Sequence, residues 1–264
     1  MDIVILGAGN VAGIFGKLLF QKKHKILQIV GKTPEHAASL AMQLQASFTT
    51  DINEMDTGAH LYLFALPDNL IQEVAAYPLF QHKFLVHASG SVPAEVFKNF
   101  TETYGVLWPI QSLNAQMGKM TGFPLVITAS NAYTLNSLIK LGNDLTTGEV
   151  VVLTDEEKGK LHLAAVFASN FTNYLYQMAF SYCNEQNLPF SLLIPLIHQT
   201  AARMNDTTAP IALQTGPAFR NDSVTIQHHQ SLLTHKPKYA QLYKFFTDYI
   251  IEEKIKNKSL NSIP

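Results

Sequence analysis

The first half of the chain alternates between two hydrophobic periods. Short β-rich runs occupy residues 2–6, 25–30, 60–65, 83–87 and 104–107, and stretches with helical spacing lie between several of them, at 11–23, 34–45 and 69–77. The alternation continues with a strand pattern at 124–128, a helix at 132–145 and a strand at 149–153. Strand, helix, strand in repetition predicts a mostly parallel sheet with helices on its faces. Beyond Leu153 the pattern becomes helical. Thr154 precedes Asp155, Glu156 and Glu157, which is an S/T-x-x-E capping box with acids in the first turn. From there to about Gln186 only Gly159 interrupts, so the spacing predicts a helix of about 30 residues, about 45 Å long at 1.5 Å per residue. Pro189 ends it. Further helical patterns lie at 191–204, 222–233 and 238–254, with Pro195 in a first turn or at a kink, Asp222 suited to the N-cap of its helix, and a frayed tail over 255–264. The fold class predicted is α/β: a sheet domain over residues 1–153 and an all-α domain over 154–264.

Composition narrows the function classes. The 264 residues are 47% hydrophobic and 15% charged, enough to bury a sizeable core in one large or two ordinary domains. A formal charge of −1 argues against broad attraction to nucleic acid or anionic membrane, and the aromatic residues are not interleaved with a basic stripe. No apolar run approaches the roughly 20 residues of a membrane span. Cys183 is the single cysteine, which excludes an intrachain disulfide and a thiolate metal cluster and fits a reducing compartment. Met1-Asp2 leads directly into Ile3-Val4-Ile5-Leu6 without a targeting pattern, so a cytoplasmic protein is expected. No metal motif such as H-E-x-x-H occurs, and adjacent His228 and His229 point to different faces.

Gly7-Ala8-Gly9-Asn10-Val11-Ala12 joins the first strand to the first helix and fits G-x-G-x-x-A. Gly7 permits the tight turn, Gly9 lets the backbone approach a pyrophosphate, and Ala12 allows close helix–sheet packing, the Rossmann arrangement. Unpaired N–H groups at the helix start favour the anion. The plainer reading is a strand–helix turn that needs glycine for steric reasons alone. The second strand ends in Val30-Gly31-Lys32-Thr33-Pro34, with no acid until Glu35. Lys32 and Thr33 therefore favour NADP(H) over NAD(H), unless Lys32 is an ordinary loop lysine. Ala65-Leu66-Pro67 closes the 60–65 run at the edge where dinucleotides lie, with Asp68 expected as the N-cap of the next helix. His87-Ala88-Ser89-Gly90-Ser91 ends the 83–87 run. Ser89 and Gly90 are expected beside the nicotinamide end, and His87 is equally a structural or a functional residue.

The predicted long helix carries polar residues in an apolar stretch: His162, Asn170 and Asn173, with Ser169 and the small residues Ala164, Ala165 and Ala168. Buried polar groups need partners. Either they satisfy loop backbone, or Asn170 and Asn173 hold a substrate carbonyl or carboxylate while His162 supplies a proton. Gln111 and Ser112 follow Trp108-Pro109 at a strand end and are placed near substrate. Tyr239, Leu242, Tyr243, Phe245, Phe246 and Tyr249 are expected in core or at a dimer surface.

These segments resemble a bacterial family of Rossmann-like NADP oxidoreductases with a C-terminal domain of unknown function. The resemblance rests on Gly7–Ala12, Ala65–Asp68, His87–Ser91, Trp108–Ser112, Leu161–Asn173 and Gln214–Asp222, so it spans nearly the whole chain. More distantly the layout is similar to pyrroline-carboxylate reductases, deazaflavin-dependent NADP reductases and β-hydroxyacid dehydrogenases. It implies a helical domain like the C-terminal domain of 6-phosphogluconate dehydrogenase, a nicotinamide facing that domain across a cleft, a homodimer and a small-molecule substrate. Arg220, after the Thr215-Gly216-Pro217 turn, either holds a substrate carboxylate or phosphate, receives the 2′-phosphate of a neighbouring subunit's cofactor, or braces its loop through Asp222. One departure is chemical. β-Hydroxyacid dehydrogenases place a catalytic lysine four residues before a helix asparagine, and if Asn170 matches that asparagine the position here is Val166. The expected function is an NADP(H)-dependent oxidoreductase acting on a small polar C=O, C=N or deazaflavin-like acceptor. The alternative is a non-catalytic NADP-binding sensor or partner-binding protein, with a methyltransferase third.

Overall fold

A computed structural model describes residues 1–111, 122–205 and 208–260. The chain divides into two compact units, Met1–Gln177 and Met178–Pro264. The first is built on an eight-stranded sheet of order β3-β2-β1-β4-β5-β6-β7-β8. Its strands are β1 (Asp2–Leu6), β2 (Lys25–Val30), β3 (Ser47–Thr49), β4 (Leu61–Phe64), β5 (Leu85–His87), β6 (Tyr104–Pro109), β7 (Leu125–Ala129) and β8 (Val150–Val152). All neighbours run parallel except β6 and β7, which pair antiparallel, so β7 and β8 run against the other six.

The helices of this unit are α1 (Asn10–Gln21), α2 (Pro34–Leu44), α3 (Asp68–Ala75), α4 (Ala132–Leu145), α5 (Asp155–Ala165) and the start of α6 (Thr172–Glu185). Side chains alternate across a strand, and β1 shows why both faces of the sheet are apolar. Ile3 and Ile5 join Phe15, Leu19, Leu40, Leu44, Leu138 and Leu141 on one face. Val4 and Leu6 join Tyr62, Phe64, Ile71, Phe80 and Phe97 on the other. A third cluster, Ala94, Val106, Trp108 and Val126, receives Leu161 and Ala165 and so docks α5 onto the sheet.

The second unit contains the rest of α6, then α7 (Ile194–Ala202), α8 (Pro217–Arg220), α9 (Ser223–Leu232) and α10 (Pro237–Leu260). Helices are the only regular elements among its described residues. Lys254 donates to the Phe219 carbonyl and lies 4.9 Å from that ring's centroid, tying α10 to α8.

Several expectations require correction. β3 is not indicated by the periodicity because it has three residues, its Phe48 is 46% exposed and its one buried residue is Thr49, so it shows no buried apolar face. The predicted 30-residue helix is broken at its centre by a π-helical turn, Val166–Phe171, which separates α5 from α6. Asp68 is not an N-cap: Pro67 holds that position and Asp68 is the first residue of α3. The tail is helical to Leu260 rather than frayed from 255, and 261–264 lie outside the described residues. Elsewhere local chemistry worked as read. Thr154 and Glu157 form both halves of a capping box, Asp222 caps α9 through Thr225 N–H, and Pro195 sits in the first turn of α7.

Candidate functional site

The carboxyl ends of β1, β4 and β5 open into a cavity of about 340 Å³ lined by Gly9, Asn10, Val11, Phe64, Ala65, Leu66, Pro67, Asp68, Ala88 and Ser89. The first βα turn makes its floor. Gly7 has φ +115°, and a Cβ there would fall 2.2 Å from the Ala65 carbonyl oxygen, so only glycine fits. Its N–H donates to the Val30 carbonyl at 2.7 Å, tying the turn to β2. Ala12 is fully buried beneath the turn. Gly9 differs: a Cβ there would meet nothing within 4 Å. The bare backbone at Gly9 therefore has no packing reason within the protein.

Gly9 is the N-cap of α1 and no side chain caps that helix. The first N–H groups of a helix lack intrahelical partners and carry the positive end of its dipole, so this end faces the cavity ready for an anion. At the end of β2 the arrangement recurs. Thr33 is the N-cap of α2, also without a side-chain cap bond. Lys32 and Thr33 are exposed, and among the described residues Lys32 forms no ion pair. The residues present thus fit a dinucleotide: a bare helix start for the pyrophosphate, and a lysine, a hydroxyl and a second helix start where a 2′-phosphate would lie.

The 88–92 loop forms the opposite wall. His87 Nδ1 accepts from Ser89 N–H at 3.2 Å, and Nε2 faces the Pro93 carbonyl at 3.4 Å. Nε2 therefore carries the proton of a neutral imidazole. Burial, with the Lys158 ammonium adding to it, pushes the His87 pKa down to about 4. Ser89 Oγ accepts from the N–H groups of Ser91 and Val92 at 3.2 and 3.1 Å. The Ser91 hydroxyl donates to the Asp68 carboxylate, which is the role Asp68 takes in place of capping.

His162 on α5 stands behind this loop. Its ring is 5.4 Å from that of Trp108, edge on, and a Cβ on Gly90 would fall 2.6 Å from His162 Nδ1 and 2.5 Å from Trp108 Cε2. Gly90 is thus held between these two rings. His162 Nδ1 is buried without a hydrogen-bond partner.

The other expected site residues are distributed as follows. Ala65, Leu66 and Pro67 line the cavity with Gly9, Asn10, Val11 and Ser89. Asn170 lies in the π turn and Asn173 in α6, and both are exposed. Gln111 is exposed at the bend after β6, and Ser112 lies outside the described residues. Arg220 ends α8 in the second unit, where it lies near enough to help hold the Asp222 carboxyl below its usual range, after the bonds from Thr225. Among the described residues no group of three or more His, Cys, Asp or Glu is placed to hold a metal ion, and no helix is long and apolar enough to cross a membrane.

Two residues were missed by the sequence reading. Lys158 is 1% exposed and donates to the carbonyls of Val92 and, at 3.4 Å, Gly90. Asp155 lies 3.4 Å from Lys158 Nζ and accepts the Ala94 N–H with both carboxylate oxygens, at 2.9 and 2.8 Å. A signal was present: Lys158, Leu161, His162 and Ala165 recur at helical spacing, which places the lysine on the face that packs.

Comparison with known proteins agrees with this geometry. Residues 2–90 match the family described as NADP oxidoreductase, coenzyme F420-dependent, and residues 123–250 match a domain of unknown function, DUF2520. A candidate NADP oxidoreductase from Bacteroides fragilis is 34% identical, with a TM-score of 0.85 over 95% of this chain and 98% of that one. A reductive aminase from Aspergillus terreus, solved with NADPH and ethyl-5-oxohexanoate, has a TM-score of 0.73 at 13% identity, over 96% of this chain and 94% of that one. A pyrroline-5-carboxylate reductase from Coxiella burnetii has a TM-score of 0.57 at 14% identity, over 96% and 97%. These two share the fold. The search of curated proteins gave no match. The chain belongs to the NADP oxidoreductase family in which an F420-dependent-type N-terminal domain is joined to DUF2520.

Proposed function

We propose that the protein is an NADP(H)-dependent reductase of a small polar acceptor, with C=N or deazaflavin-like acceptors favoured over a hydroxyacid–ketone couple. The observation that carries the reading is the cavity at the end of β1, whose floor is a bare helix start at Gly9 and whose neighbouring strand ends in Lys32 and Thr33 rather than an acid. Asn10 and Val11 at the helix start bind the pyrophosphate, Lys32 and Thr33 receive the 2′-phosphate, and Ala65–Pro67, Ser89 and Gly90 border the nicotinamide half. When bound, the dinucleotide supplies a two-electron reducing equivalent.

His162 is the proton donor of this reading. Its Nδ1 is enclosed by Gly90 and Trp108 without an acceptor, which favours the tautomer with the proton on Nε2. Asn170 and Asn173 orient the acceptor, with Gln111 and Ser112 as further substrate contacts, and Arg220 is by itself a candidate ligand of a carboxylate or phosphate. The lysine that serves a ketone couple is absent at Val166, so the acceptor is one that needs less proton assistance. The same valine favours a second reading, a cofactor-binding sensor without turnover. Leu163, Phe167, Phe171 and Tyr174 are 53–65% exposed along this helical segment, which supports a homodimer. Cys183, buried and free, fits a cytoplasmic setting.

Thermal denaturation with NADPH, NADH and S-adenosylmethionine tests the cofactor assignment. A ligand at 100 times its Kd adds about 2.7 kcal/mol, so NADPH is expected to raise Tm by several degrees and the other two less. No shift with either nicotinamide refutes the assignment. Oxidation of bound NADPH by any imine or deazaflavin would exclude the sensor.

A further inference from the structure

The 88–92 loop owes its shape to two sets of contacts. From the cavity side, His87, Asp68 and Ser89 hold it through the bonds given above. From behind, α5 holds it through Lys158 and Asp155. An ammonium has three protons to place, and Lys158 directs them at the Gly90 carbonyl, the Val92 carbonyl and the Asp155 carboxylate. Asp155 in turn fixes the Ala94 N–H. The pair therefore grips the chain at residues 90, 92 and 94 in succession. Burying a charge here is costly, and an apolar side chain of similar length would stabilise the helix–sheet contact at least as well. What the ammonium adds is geometry: both carbonyls must point at one atom.

We propose that Lys158 and Asp155 are positioning residues that set the 88–92 loop to receive the nicotinamide half of the dinucleotide. The inference rests on the cofactor reading above. The sheet order makes it testable, because β2 and β5 lie on opposite sides of β1. The adenine half belongs over the end of β2 at Lys32, and the loop that Lys158 holds lies at the end of β5. The clamp thus acts on one half of the ligand and leaves the other unchanged.

The experiment compares Lys158→Met with the wild type for two probes, NADPH and adenosine 2′,5′-bisphosphate, which is the adenine half alone. The variant is expected to bind NADPH about tenfold more weakly, while the bisphosphate changes by less than about twofold. The emission of the bound nicotinamide should also fall towards that of free NADPH. Lys160→Met, on the exposed side of the same helix, should match the wild type for both probes. Unchanged NADPH affinity in folded Lys158→Met overturns the proposal, and so does an equal loss for both probes, which would make the residue a structural support only. If Lys158→Met does not fold, Asp155→Asn carries the same comparison, since that carboxylate is partly exposed. A wild-type chain that binds neither probe would overturn the cofactor reading itself, an outcome separate from those of the variants.

Discussion

Lowering the pH should destabilise this protein through one buried histidine, and the size of the effect follows from its surroundings. His87 has no exposed surface, and its pKa falls from 6.5 to about 4 because of burial and the Lys158 ammonium, against weaker opposing influences from the Pro93 carbonyl, Asp155 and Asp68. The folded pKa is depressed, so above pH 6.5 neither state carries the extra proton and stability is at its plateau. Between about 6.5 and 4 the unfolded chain takes a proton that the folded chain refuses, so stability falls with pH; below about 4 both states are protonated and the loss is complete. At about 1.4 kcal/mol for each pH unit, this loss is about 3 kcal/mol. Protonation at Nδ1 also removes the acceptor of Ser89 N–H, so the loop should loosen as the charge appears. The assay is chemical denaturation of wild type and His87→Asn between pH 4 and 7, the asparagine offering an oxygen where Nδ1 lies. The variant should be less stable at pH 7 yet lose about 3 kcal/mol less than wild type on acidification. Other titrating groups contribute alike to both curves and cancel. Curves that stay parallel across this range would refute the reasoning.

Three further outcomes follow from the same geometry. Gly90→Ala places a methyl 2.5 Å from Trp108 Cε2 and 2.6 Å from His162 Nδ1, so it should cost about 1–3 kcal/mol of stability. Trp108 is the only tryptophan, so its emission should shift in the variant and give a direct readout of the contact. Gly9→Asp adds a Cβ that meets nothing within 4 Å, so it should fold normally, yet it brings a carboxylate to the proposed pyrophosphate position and should abolish NADPH binding; retained affinity by titration would remove the loop from the site. Lys32→Glu should weaken NADPH by about tenfold or more and NADH little, as equilibrium binding would show, because only NADPH brings a phosphate to that position.

Much of the first unit was legible because its signals are local. Parallel strands buried on both faces read as apolar runs, and β1, β2 and α4 fall on the residues that periodicity indicated. Caps were read correctly where a side chain and its N–H lie three residues apart, as at Thr154 and Asp222. Asp68 was misread because the same residue type at a helix start can serve a distant partner, and Ser91 is 23 residues away. The π turn gives no sequence signature of its own: Val166–Phe171 reads as ordinary helix until its backbone bonds are seen. Lys158 was passed over because a lysine three residues after an aspartate reads as an ordinary exposed helix ion pair. Its burial depends on carbonyls contributed by a loop some 66 residues earlier.

The π turn also lies between His162 and the two asparagines of the predicted helix. Lys158, Leu161, His162 and Ala165 form a regular stripe, and Leu161 and Ala165 pack on Trp108 and its neighbours. At Val166 the regular α-helical repeat gives way to the wider π turn, so the stripe does not continue through Asn170 and Asn173, and both are exposed. His162 is therefore committed to the sheet, with one ring nitrogen enclosed beside Gly90, whereas the asparagines are free to meet something that arrives from outside. Under the proposed function, that division would put the fixed end of the chemistry on α5 and the adjustable end on the π turn. If His162 and the asparagines act as proposed, a suitable acceptor presents its reducible bond to an imidazole and its polar substituents to amides, with no ammonium between them.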